Sequence, residues 1–172
     1  MRISGTGLLL TTAIACALGA TVYAQTPPAK TVPNWRPVTD AEMRAPKPED
    51  WLMYRGNYAG WGYSALEQIN KTNVKNLQLV WSRVMEPGLN EITPIVRDGI
   101  MYLGNPGDVI QAIDATNGDL IWEYRHPLPP KEQFPATHGQ RKRSISLYGN
   151  FVIFATWNNY IVGLDARTGQ RI

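Results

Sequence analysis

The sequence predicts an all-β fold, part of a propeller or solenoid built from small repeated sheets. One segment occurs twice, Val109-Ile110-Gln111-Ala112-Ile113-Asp114-Ala115-Thr116-Asn117-Gly118-Asp119 and then Tyr160-Ile161-Val162-Gly163-Leu164-Asp165-Ala166-Arg167-Thr168-Gly169-Gln170. The copies are in register at 51 residues, and the preceding runs Met101–Gly104 and Val152–Ala155 match too. A partial third copy lies upstream, where Leu79-Val80-Trp81-Ser82-Arg83 aligns with Leu120-Ile121-Trp122-Glu123-Tyr124 at 41 residues. Each such unit buries its apolar faces only by stacking on a neighbour.

The chain reads in three parts. Residues 1–24 form a signal peptide: Arg2 precedes an apolar stretch from Leu8 to Leu18, and Val22-Tyr23-Ala24 supplies a cleavage site after Ala24. The apolar stretch is shorter than the roughly 20 residues a stable membrane span takes. Cys16, the single cysteine, lies within this leader, and Ala13-Ile14-Ala15 ahead of it lacks the leucine of a lipoprotein site. The mature chain thus has no disulfide and no Cys-x-x-Cys-His haem site, and depends on burial for stability. Its Lys and Arg outnumber Asp and Glu by 16 to 14 once Arg2 is removed, a balance that argues for neither nucleic acid nor a membrane patch.

Residues 25–50 carry Pro27, Pro28, Pro33, Pro37, Pro46 and Pro48 and predict an extended lead-in, with Trp35 and Met43 as anchors to the body. The repeat region spans 51–172. It opens on Tyr54, Tyr58, Trp61 and Tyr63 among glycines, and a helical turn is predicted near Thr72-Asn73, capped ahead of Val74–Leu77. Antiparallel strands follow at Gly99–Leu103, Val109–Ile113 and Leu120–Tyr124. Asn117-Gly118 turns the first copy, and Asn158-Asn159 and Thr168-Gly169 turn the second, by supplying positive φ. The counterpart of Trp122 falls at position 173, so the chain is expected to stop mid-unit, as the N-terminal piece of a longer protein. It supplies about two of the roughly 4–8 blades of a propeller. A ring closed by several copies is the lesser alternative and leaves homo-oligomerisation open.

Chemistry is expected in the connections that lead into the first strand of each unit. The second connection is longer by ten residues, holding His126 to Gly139, and long loops on a regular scaffold usually serve function. Glu91 lies eight residues before Gly99, and Arg143 seven before its counterpart Asn150. Adjacent blades thus aim a carboxylate and a guanidinium at one mouth of the central channel; solvated loop charge is the plainer reading of each.

Asp50-Trp51-Leu52-Met53-Tyr54-Arg55-Gly56-Asn57, Gly60-Trp61-Gly62-Tyr63-Ser64, Leu79-Val80-Trp81-Ser82, Thr93-Pro94-Ile95-Val96 and Ala112-x-Asp114-x-x-Asn117-Gly118-x-x-x-Trp122 together resemble the start of a PQQ-dependent (quinoprotein) alcohol dehydrogenase. The resemblance implies an eight-bladed propeller of which this chain holds about two blades. It also implies pyrroloquinoline quinone on the axis, beside Ca2+ or a lanthanide. Glu91 and Arg143 fall on the family's cofactor-contacting glutamate and arginine. No catalytic residue and no metal ligand is assigned in this chain; both sets are expected beyond Ile172. The implied substrate is a small alcohol, and the implied electron acceptor a periplasmic cytochrome c. Thr137-His138 stand where many relatives carry two adjacent cysteines, so His138 either covers the ring or is an exposed loop histidine. His126 reads as structural, and Trp81 and Trp122 as packing between blades. The competing class is a non-catalytic propeller scaffold of the outer-membrane assembly type. The missing lipoprotein site and the presence of both Glu91 and Arg143 weigh against it.

Overall fold

A computed structural model describes residues 30–129 and 143–172. The signal peptide and Thr137-His138 lie outside the described residues. Two antiparallel meanders dominate. The first joins β1 (Ile95–Arg97), β2 (Ile100–Asn105), β3 (Val109–Asp114) and β4 (Leu120–Arg125) in sequence order. The second joins β5 (Ser146–Tyr148), β6 (Phe151–Ala155) and β7 (Ile161–Asp165), with a single bridge from Leu164 to Arg171 beyond it. β2 and β3 are buried almost throughout, matching their largely apolar sequences, whereas β6 alternates buried and open positions as a half-covered strand does.

The two sheets share one core. Tyr102 and Trp122 of the first pack with Leu147, Val152, Phe154, Leu164 and Ala166 of the second. The tryptophan seam is explicit and occurs twice. Trp81 donates its indole N–H to the Ala115 carbonyl at 3.0 Å, and Trp122 does the same to Ala166 at 3.0 Å. Each ring lies flat against a turn glycine, so that a Cβ on Gly118 would stand 2.7 Å from Trp81 and one on Gly169 2.6 Å from Trp122. The repeat exists because a bulky donor in one blade requires a carbonyl and a missing side chain in the next.

Several expectations are corrected. Gly99 is not in a strand: with φ 46° at Asp98 and 78° at Gly99, the pair forms the two-residue hairpin between Arg97 and Ile100. In Asn117-Gly118 only Gly118 has positive φ, because the turn closes through Gly118 N–H to the Asp114 carbonyl while Asn117 caps Asp119. Leu79–Arg83 forms no strand; among the described residues no strand pairs with it, although Trp81 and Arg83 are docked on the Ala115 and Gly118 carbonyls. The helical turn is a single 3-10 turn, Val74–Asn76, and Asn73 bonds back to Gln68 rather than capping it.

The lead-in is more than extended. It contains a short helix α1 (Asp40–Arg44), started by a capping box in which Thr39 and Glu42 exchange hydrogen bonds. Trp35 does anchor it, edge-on to Tyr102 at 6.2 Å and donating to Asn150 Oδ1 at 3.0 Å. Met43 packs on the core. Backbone bridges tie this region to both sheets, Val38 of the lead-in to Gly149 and Trp51, the first residue of the repeat region, to Val96. Arg97 at the end of β1 is buried beneath it, 2.9 Å from Glu42 and 3.9 Å from Asp50, with Trp35 stacked 5.9 Å away. The bond from the Thr39 backbone N–H, reinforced by Arg97, pulls the Glu42 carboxyl down to about 2.

Candidate functional site

In an antiparallel meander the β1–β2 and β3–β4 turns share one end of the sheet. The approach to β1, the β2–β3 turn and the exit from β4 share the other. The lead-in occupies the first end, through Val38, Arg97 and Arg167. Glu91 and Arg143, on the approaches to β1 and β5, stand at the second.

The structure brings these two together. Arg143 Nε donates to Glu91 Oε2 at 2.8 Å, an ion pair between residues 52 positions apart that joins the approach to one sheet with the approach to the next. Both side chains are open to solvent, Arg143 at 69% and Glu91 at 43%. An exposed pair of this kind contributes only about 0–1 kcal/mol to stability, so its placement is not explained by holding the fold together. It can present a planar guanidinium, charge-balanced by its neighbour, to an anion arriving from solvent.

Among the described residues at this end, His126 and Asp108 tie elements together. His126 contacts the Tyr124 hydroxyl at 3.3 Å and Asn158 Oδ1 at 3.1 Å, and its ring sits between Tyr124 and Tyr160. Asp108 in the β2–β3 turn accepts the Trp157 backbone N–H at 2.6 Å, joining the two sheets. A hollow of about 440 Å³ beside β7 is lined by His126, Asn158, Tyr160, Ile161 and Arg171, apart from the ion pair. Among the described residues no group of three or more His, Cys, Asp and Glu could hold a metal ion, and no helix is long and apolar enough to cross a membrane.

Sequence reasoning missed the polar residues packed against the connection that carries Glu91, through Glu86. Asn105 and Gln111 are buried and hydrogen-bonded to each other at 3.1 Å. The available signal was Gln111 itself, an amide inside an otherwise apolar strand, which requires a partner.

The comparisons with known proteins agree with this architecture. The family profile described as "PQQ: Glucose/ethanol/alcohol dehydrogenase, beta-propeller domain" matches residues 51–172. The chain is 34% identical to a quinohemoprotein alcohol dehydrogenase of Comamonas testosteroni over 92% of its own length and 23% of that protein's. It is 35% identical to a 1-butanol dehydrogenase (cytochrome c) of Thauera butanivorans, over 72% of this chain and 18% of the relative. Among solved structures, the quinohemoprotein alcohol dehydrogenase ADHIIG of Pseudomonas putida HK5 superposes with a TM-score of 0.66 at 32% identity, covering 78% of this chain and 20% of that one. The chain therefore spans about a fifth of the length of the relatives it matches. With two stacked four-stranded-type units, a twice-used tryptophan dock and these matches, the chain belongs to the PQQ glucose/ethanol/alcohol dehydrogenase β-propeller family.

Proposed function

We propose that this chain contributes the first blades of an exported, periplasmic dehydrogenase that oxidises small alcohols with pyrroloquinoline quinone, and that Glu91 and Arg143 hold one side of that cofactor. The observation that carries the reading is the 2.8 Å pair between them, which sits at the mouth where the approaches to two neighbouring blades converge.

The donor set suits the quinone, a flat ring bearing several carboxylates. A guanidinium grips a carboxylate through parallel N–H bonds and stacks on planar rings. A glutamate facing such an anion is unfavourable unless a cation stands beside it, and Arg143 is that cation. When bound, the quinone supplies the hydride-accepting redox chemistry. The residues of this chain bind and orient it, and the proton-accepting carboxylate and the ligands of Ca2+ or a lanthanide are expected beyond Ile172. A periplasmic cytochrome c is the proposed electron acceptor, in keeping with the cytochrome named for the Thauera relative. The leader read in residues 1–24 supports export.

The test is a titration of the chain with pyrroloquinoline quinone plus calcium or a light lanthanide, followed by absorbance and tryptophan fluorescence. Weak saturable binding is expected, lost in Arg143→Met and reduced in Glu91→Gln, with no dye-linked alcohol oxidation by the chain alone. Unchanged binding in both variants refutes the site. Robust turnover refutes the partial character of the chain.

A further inference from the structure

The connection that carries Glu91 is held by a closed circuit of hydrogen bonds. Glu86 donates its backbone N–H to Asn105 Oδ1 at 3.2 Å, Asn105 Nδ2 donates to Gln111 Oε1 at 3.1 Å, and Gln111 Nε2 donates to Glu123 Oε2 at 2.6 Å. Arg125 completes the circuit, giving Nε to Glu123 Oε1 at 2.7 Å and Nη2 to the Glu86 carboxylate. The five residues come from the connection itself, the end of β2, β3 and β4, all at the end of the sheet where Glu91 lies. Two more contacts hold the same stretch. Asn90 Nδ2 donates to the Gly104 carbonyl at 3.1 Å, and Gly88 lies so close to Pro106 that a Cβ would stand 2.8 Å from the ring.

A fully paired circuit specifies one arrangement, because opening any bond strands a buried amide or leaves a carboxylate without its cation. The only segment in the circuit that is not part of a strand is Glu86, and five residues later stands Glu91. The circuit's own strands do not need it, since β2, β3 and β4 are joined by their own backbone ladders, with one register shift between Ala112 and Ile113. We infer that Arg125 and Gln111 are positioning residues, which act through Glu86 to set Glu91 opposite Arg143 and so tune quinone affinity without touching the quinone. The inference rests on the cofactor reading given above for Glu91 and Arg143.

The test uses the full chain and two readouts. In Arg125→Met, amide hydrogen exchange of the peptide covering residues 84–92 is expected to quicken about tenfold, while exchange across β2 and β3 and the thermal midpoint stay near wild type. Quinone affinity falls roughly tenfold in the same variant, and Arg125→Lys, which keeps one ionic contact, recovers part of both. Gly88→Ala is a second route to the same outcome, since it lifts the connection from Pro106 and leaves the circuit residues unchanged. Unaltered exchange at residues 84–92 in Arg125→Met overturns the inference, whatever the affinity and whatever Gly88→Ala does. Quickened exchange together with binding that Arg143→Met and Glu91→Gln leave intact upholds the clamp on the connection but overturns its link to the quinone, and with it the cofactor reading.

Discussion

Replacing Gly169 by alanine tests the tryptophan dock directly. Gly169 has φ +73°, where an L side chain costs about 1–2 kcal/mol. Its Cβ would also stand 2.6 Å from Cδ2 and Cε3 of Trp122, a ring only 3% exposed and tied to Ala166, so the indole must move by about 1 Å to reach ordinary contact. Forcing atoms into a packed site of this kind adds about 1–3 kcal/mol, which brings the total to roughly 2–5 kcal/mol. Gly99 is the internal control, because its φ is +78° and a Cβ there meets nothing within 4 Å. Gly99→Ala should therefore show the backbone cost alone. Urea unfolding followed by tryptophan fluorescence separates the two, with a lower midpoint for Gly169→Ala at an unchanged slope. If Gly169→Ala costs no more than Gly99→Ala, Trp122 is not docked on this turn and the account of how the blades join is wrong.

Other outcomes follow from the same geometry. Tyr102→Phe removes a buried hydroxyl that donates to the Ala166 carbonyl at 3.1 Å, yet that carbonyl keeps the Trp122 indole, so the loss should stay near the low end of about 0.5–1.5 kcal/mol by urea unfolding. Adding Trp122→Phe to it orphans the carbonyl, and the double variant should lose more than the two single losses combined. Glu42, held at about 2 against an ordinary value of 4.5, contributes stability that is fully present above about pH 4.5 and is lost as pH falls toward 2; Glu42→Gln should flatten the acid limb of a stability–pH curve in that window. Arg143→Met should change the unfolding free energy by less than about 1 kcal/mol, because its partner is an exposed carboxylate, so any loss of quinone binding in that variant reports on the site rather than the fold.

How much of this was legible varied with the range of the interactions. The strands and their pairing could be read because β-rich runs recur at a fixed spacing, and the tryptophan at equivalent places in two copies announced the seam. The two-residue Asp98-Gly99 hairpin is a local signal, masked in the sequence by the apolar run that starts at Ile100. The capping box of α1 was also present, as Thr39 followed three residues later by Glu42, but the surrounding prolines outweighed it. The docking of the lead-in on both sheets was not readable at all: Val38 meets Gly149 across more than a hundred positions, and no periodicity records such a contact. Glu91 and Arg143 could be placed at one end from their nearly equal distances, eight and seven residues, to the equivalent positions Gly99 and Asn150. That they touch depends on side-chain reach and on the bonds that fix Glu86, which spacing does not encode.

The lead-in has a consequence for how the chain acquires its structure. Trp35 finds Asn150 at a separation of 115 residues, and Val32 donates to the carbonyl of Arg167. Closing a loop of that length is entropically costly and raises the barrier to folding. The segment is made well before the residues it docks on, which lie more than a hundred positions later. Until the strap docks, the buried Arg97 at the end of β1 lacks the Glu42 carboxylate that pairs with it at 2.9 Å, and a buried charge without its partner is costly.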